Sequence, residues 1–148
     1  MLDNTDINIL NQLVNNSRVS TTQIAKSTSI SNVATQQRIT KLEKANIIKG
    51  YTAKLDYHQL GYKTVAYLGI YLEKAKNYKT VIKKLNQVDL ISEAHFTTGT
   101  YSIFAKIYAK DNLHLMEVLS EHVQSIDGIA RTETFISLHE GINKEISL

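Results

Sequence analysis

The chain has 148 residues, 43% of them apolar and 21% charged, which suits an ordinary globular protein of one domain or two small ones. It has no cysteine, so disulfides, thiolate metal sites and thiol catalysis are excluded, and a cytoplasmic setting is expected. The net charge of +3 sits wholly in the first third: residues 1–50 hold six Lys/Arg against Asp3, Asp6 and Glu43, and the remainder holds eleven of each sign.

No apolar run approaches the ~18 residues of a membrane helix. The start, MLDNTDINIL, lacks the basic and apolar regions of a signal peptide, so no membrane partner is expected. Taken in order, Thr5 to Val14 places Ile7, Leu10, Leu13 and Val14 at helical spacing. Asn4 or Thr5 is the expected cap, and Asn15-Asn16-Ser17 the end. Ser20 opens a second helix, with Gln23 three residues on as a capping box and Ile24 and Ala25 on its buried side. The turn Thr28-Ser29-Ile30-Ser31 leads into a third helix from Asn32 to Ala45, with Thr35, Ile39 and Leu42 on one stripe. This layout is a helix-turn-helix, whose second helix lies in the DNA major groove.

Ile47 to Leu55, IIKGYTAKL, reads as a strand pair or wing leading out of the helical head. The pattern then changes. Thr64 to Glu73 is strand-like, Tyr78 to Val88 helical, and Ile91 to Thr97 and Tyr101 to Ala109 are strands flanking Thr98-Gly99-Thr100. Leu113 to Ile126 reads as a helix and Ile129 to Leu138 as a closing strand. The order β-α-β-β-α-β is the ferredoxin-like unit, with both helices on one face of a four-stranded antiparallel sheet. Tyr67, Tyr71 and Phe104 make the other face too apolar to leave wet, which predicts dimerisation through the sheet. The expected division is 1–50 for the helix-turn-helix domain, 51–63 for a wing or linker, and 64–148 for the βαββαβ domain, an α+β architecture.

Projected at about 100° per residue, the third helix sets Val33, Gln37, Thr40, Lys41 and Lys44 opposite its core stripe, with Ala34 and Gln36 on the flanks. Gln pairs bidentately with adenine, a small apolar group meets the thymine methyl, and Lys reaches guanine or phosphate. Ser31 and Asn32, at the helix start, can donate to phosphates. The plain alternative is a solvated helix face. Tyr51 and Lys54 are either backbone contacts or packing residues. In the hairpin, Thr98, Gly99, Thr100, Tyr101 and Ser102 offer hydroxyls, backbone amides and one ring, suited to a zwitterion at a subunit boundary; an ordinary hairpin is the alternative. The five histidines show no metal spacing, and no catalytic serine elbow, phosphate loop or acid/base pair is evident, so neither cofactor nor enzymatic activity is expected.

The chain resembles the Lrp/AsnC, or feast/famine, regulators over nearly its whole length. The resemblance rests on Leu2-Asp3, Asp6 and Ile9-Leu10, and on Arg18-Val19-Ser20. It continues through Ile30-Ser31, Arg38-Ile39, Leu42-Glu43, Ile47 to Ala53 and Gly99-Thr100-Tyr101. It implies a winged helix-turn-helix joined to a ligand-binding βαββαβ domain, dimers that often assemble to octamers, and amino-acid effectors held between subunits near the glycine-tyrosine loop. In the family that loop commonly reads Gly-Asp-Tyr-Asp; here Thr100 and Ser102 replace both acids, which implies a different effector or none. Prolines common in the family turn are replaced by Asn32 and Ala34. The leading expectation is a sequence-specific DNA-binding transcription regulator modulated by an amino acid. Two readings stand beside it: a haem-pathway decarboxylase-like protein on the same fold, binding a tetrapyrrole, and a partner module that modulates a sibling regulator without binding DNA alone.

Overall fold

The computed structural model describes residues 2–148 and divides into two compact units. The first runs to Lys54 and includes Ile142–Leu148; the second is Leu55–Gly141.

The first unit is built on three helices: α1 (Asn4–Asn15), α2 (Thr21–Thr28) and α3 (Asn32–Lys44). Each start has a side-chain cap. Asp3, rather than Asn4 or Thr5, caps α1: its carboxylate accepts from the Asp6 amide at 2.8 Å, and the Asp6 carboxylate accepts from the Asp3 amide at 3.1 Å. The expected box at α2 is present, Ser20 accepting from the Gln23 amide at 3.2 Å and Gln23 accepting in return at 3.3 Å. Ser31 caps α3 through the Ala34 amide at 3.1 Å. α2 and α3 close by left-handed residues, Ser29 at φ 57° and Asn46 at φ 54°, whereas α1 ends at the extended Asn16. Past Asn46 the Ile47 amide donates back to the Leu42 carbonyl at 3.0 Å, a Schellman closure.

The core of this unit is Ile9, Leu10, Ile24, Ile39 and Leu42, with Leu13, Val19 and Ile48 packed against it. The stripe expected on α3 is buried, Thr35 included, and the Thr35 hydroxyl donates to the Ser31 carbonyl. On α1 the stripe is rotated from expectation: Ile9 is fully buried, while Val14 is exposed. Asp6 is buried on the same side, against Arg38. The Arg38 guanidinium donates to Asp3 at 2.8 Å and Asp6 at 2.7 Å, tying α3 to the first turn of α1.

The strand pair expected over 47–55 does not form; among the described residues none of that segment is in a strand. Ile47 and Ile48 both turn their amides back to Leu42 in closing α3, and no described segment pairs with the residues that follow. Residues 142–148, expected to belong to the second domain, pack with the first unit. The Asn11 side-chain amide donates to the Leu148 carbonyl and accepts from its amide, both at 3.0 Å, and Lys54 donates to the Asn143 carbonyl at 2.8 Å.

The second unit runs β1 (Thr64–Leu72), α4 (Tyr78–Leu85), β2 (Ile91–Phe96), β3 (Ile103–Ala109), α5 (Asn112–Val118) and β4 (Ile129–Ile136). The sheet is fully antiparallel in the order β2-β3-β1-β4, the expected βαββαβ topology. Alternation decides its faces. Ala66, Leu68, Ile70, Ile103, Ala105, Ile107 and Ala109 are buried with Val81, Leu85, Leu115, Val118 and Val123 from the helical layer. The strand starting at Tyr101 begins instead at Ile103, so the β2–β3 connection spans 97–102. The single helix expected over Leu113–Ile126 is broken: α5 passes into a π turn at Leu119–Val123, closed by the Gln124 amide on the Leu119 carbonyl at 2.7 Å. The wider turn lets Val118 and Val123, five apart, share the buried face.

Candidate functional site

Two sets of residues bear on function, one in each unit. In the first, α3 presents an outer arc opposite its buried stripe. Val33, Gln37, Lys41 and Lys44 are exposed there, Val33 at 68%, and Thr40 is half-buried beside them. Ala34 is half-buried on one flank; Gln36 is exposed on the other and accepts from the Thr21 hydroxyl at 3.4 Å. Asn32 donates to the Thr22 hydroxyl at 3.4 Å, so α2 steadies the helix start. The Ser31 oxygen is used as the cap, which leaves its proton free to donate outward.

All three acids of the first fifty residues have hydrogen-bond partners within the unit. Asp3 and Asp6 hold Arg38, and Glu43 accepts from the Tyr51 hydroxyl at 3.0 Å. The Asp3 carboxyl lies below its ordinary value because the Asp6 amide and then Arg38 hydrogen-bond it; Arg38 is raised by the same two carboxylates. The Tyr51 phenol is pushed up by burial and by Glu43. The outer arc itself carries two lysines, the polar Gln37 and Thr40 and the apolar Val33, and no acid. Tyr51 and Lys54 are both committed within the unit, to Glu43 and to the Asn143 carbonyl.

In the second unit, Thr98, Gly99 and Thr100 form the exposed tip of the β2–β3 loop. Tyr101 and Ser102 are half-buried at its base. The Thr97 hydroxyl donates to the Tyr101 carbonyl, the Thr97 amide to the Ser102 carbonyl at 3.1 Å, and the Ser102 amide to Ile70 at 2.9 Å. The Tyr101 side chain turns onto the open face of the sheet, directly over Gly69. A Cβ at Gly69 would lie 2.4 Å from the Tyr101 ring, so only glycine permits this approach.

The sequence reading missed the anchor of that ring. Glu133, on β4 opposite Gly69, accepts from the Tyr101 hydroxyl at 2.9 Å and the Tyr71 hydroxyl at 3.0 Å. Arg131 donates to the same carboxylate at 3.0 Å and lies over the Tyr71 ring, 3.7 Å from its centroid. Bonds from Tyr101, Tyr71 and Arg131 hold Glu133 below the usual carboxylate range. Both phenols are raised, Tyr71 chiefly by burial and Tyr101 chiefly by its bond to Glu133. Alternation places Glu133 on the open face; nothing local in the sequence points to Tyr101, 32 residues away. An open groove lies elsewhere in this unit, lined by Leu115, Met116, Leu119, Gln124 and Ile136. Among the described residues no group of three or more His, Cys, Asp or Glu could hold a metal ion, and no helix is long and apolar enough to cross a membrane.

Comparison with known proteins places both units. Residues 65–145 match the Lrp/AsnC ligand binding domain, and residues 2–49 match a winged helix-turn-helix DNA-binding domain. The regulatory protein AsnC of Haemophilus influenzae is 38% identical over 145 residues, covering 98% of this chain and 97% of that protein. The structure of Escherichia coli AsnC superposes with a TM-score of 0.95 at 36% identity, covering 100% of this chain and 99% of that one. A Neisseria meningitidis transcriptional regulator in complex with L-methionine shares the fold, with a TM-score of 0.93 at 21% identity and coverage of 100% and 96%. With its ligand-binding domain matched over more than half the chain and its relatives matched nearly end to end, the protein belongs to the Lrp/AsnC family.

Proposed function

We propose that this protein is a DNA-binding transcription regulator that reads sequence through the outer arc of α3 and changes its binding in response to an amino acid. The observation that carries the reading is the arc itself: Val33, Gln37, Thr40, Lys41 and Lys44 stand together opposite a buried stripe with no acid among them, and Asp3 and Asp6 are held by Arg38. In that reading Gln37 and Val33 meet base edges, Gln36 and Ala34 border the contact, and Thr40, Lys41 and Lys44 hold phosphate or guanine. Ser31 and Asn32 donate to phosphate where the N-terminus of α3 is already favourable to anions. Its relatives include proteins named as transcriptional regulators.

The effector half of the proposal rests on the 97–102 loop. Its tip, Thr98-Gly99-Thr100, offers hydroxyls and backbone amides to a carboxylate, while Tyr101 and Ser102 brace it against β1. The L-methionine complex of the N. meningitidis regulator supports an amino acid as the ligand class. Self-association through the open sheet face completes the reading, since paired α3 helices would then meet half-sites about one DNA turn apart, roughly 34 Å.

The test is a selection of bound fragments from genomic DNA by the purified protein at fixed salt, with and without each amino acid. Enriched pseudo-palindromic sites are expected, with occupancy that one amino acid shifts. No enrichment in any condition would overturn the proposal.

A further inference from the structure

The second unit is close to neutral, but its charge is segregated. Residues 73–84 carry Lys74, Lys76, Lys79, Lys83 and Lys84 against the single acid Glu73; the rest of the unit carries four basic residues against nine acids. All five lysines are exposed. Lys76, Lys79 and Lys83 follow at spacings of three and four, one stripe along the Ala75–Asn77 turn and α4, with Lys84 beside them. Val81 and Leu85 are buried on the opposite side, with Tyr78 and Ile82 partly so.

Folding does not account for this pattern. Of these five lysines only Lys84 has an acidic partner among the described residues, Asp127 at 3.7 Å, and Asp127 is 98% exposed. Lys74, Lys76 and Lys79 stand at the N-terminal end of α4, where the helix dipole disfavours positive charge. That end also lacks a side-chain cap. Lys83 and Lys84, in the last turn of α4, are favoured by the dipole, but Lys74, Lys76 and Lys79 keep unneutralised charge at the end where local stability selects against it, a pattern that suits an external polyanion.

The kind of polyanion follows from the residue types. All five are lysines, mobile point charges without the planar fork that reads a guanine edge, so the contact is to phosphate and is independent of sequence. The Lys76–Lys79–Lys83 arc has Thr80 as its neutral neighbour and no apolar side chain to enter a bilayer. Tyr78 is taken up against Phe96, ring centroids 4.4 Å apart, and offers no platform for an unstacked base. We propose that the Lys74–Lys84 face is a second, sequence-independent contact for the phosphates of duplex DNA flanking the specific site. The inference rests on the DNA-binding reading of α3, which the short duplex below tests separately.

The experiment uses the full chain and its K76Q/K79Q/K83Q variant, with thermal unfolding to confirm that both are folded. Affinity is measured against salt on duplexes of about 20 and about 100 base pairs centred on the same site, because the slope of log K on log salt counts phosphates neutralised. The unaltered protein should show a steeper slope on the long duplex. The variant should lose that excess, by about 0.9 for each phosphate contact removed, and keep the short-duplex slope. An excess retained in the variant would overturn the proposal, as would equal weakening on both duplexes. Loss of binding to phosphatidylglycerol vesicles with the long-duplex slope unchanged would assign the face to a membrane surface and overturn it as well. Failure of the unaltered protein on the short duplex would instead sink the α3 reading.

Discussion

Glu133 is a single carboxylate on which two phenols and a guanidinium converge, and the consequence is a pH dependence with a definite sign. Its folded pKa is depressed, so its contribution is fully present above the ordinary value of 4.5 and is lost as the pH falls from there through the lower folded value. Asp3 behaves the same way from its ordinary value of 3.8 downward. Urea unfolding midpoints followed from about pH 6 to about pH 3 should fall on this limb, and Glu133→Gln should remove the part that begins near 4.5. A variant whose acid limb matches the parent would show that Glu133 is not depressed. Residues of this kind were only half legible. Asp3 and Asp6 are spaced as a capping pair, yet Arg38, the cation both of them hold, lies 35 and 32 positions away.

At the scale of elements, α2 and α3 meet at Ser29, which adopts φ 57° where glycine would be unstrained. Ser29→Gly should raise stability by about 0.5–1 kcal/mol, the relief of the left-handed cost less the added freedom of the unfolded chain. Chemical denaturation measures it, and a loss of stability would mean the Ser29 side chain contributes in the folded turn. On α3 itself, Gln37→Ala should erase about 1–3 kcal/mol of discrimination at one base pair. Lys41→Ala should weaken all sequences alike and flatten the salt slope by about 0.9. Binding titrations over single-base operator variants separate the two, and unaltered discrimination by the Gln37 variant would remove that side chain from the groove. The elements were well read where periodicity and capping agree, as at Ser20–Gln23 and along Thr35, Ile39 and Leu42. Of the two readings of 47–55, a strand pair or a wing, the strand pair is not formed, since no described segment pairs with it. The π turn after α5 escaped because apolar spacing alone does not distinguish a four-residue turn from a five-residue one.

For the whole molecule, the open face of the sheet is the feature that asks for a second chain. Tyr67 and Phe104 stack with centroids 5.8 Å apart, Tyr101 packs on Phe104 and Phe135, and Phe135 is 45% exposed. An apolar surface of this kind is rarely left to water. Phe104→Asp should shift sedimentation toward a smaller species while the far-ultraviolet dichroism of the sheet is retained; an unchanged sedimentation coefficient would show that this face does not carry self-association.

The amino-acid sequence by itself determined what depends on neighbours a few positions apart. The helix caps, the 3.6-residue stripe of α3, the alternation that sorts β1 and β3 into two faces, and the family resemblance all belong here, because each is written in short-range spacing. Only the tertiary structure decided what joins distant positions. Arg38 bridges Asp3 and Asp6 at the start of α1, Tyr101 is drawn off the loop tip onto Gly69 and Glu133, and Leu148 closes on Asn11, 137 residues away. No local pattern carries those pairings, since packing places both partners together only after the elements have formed.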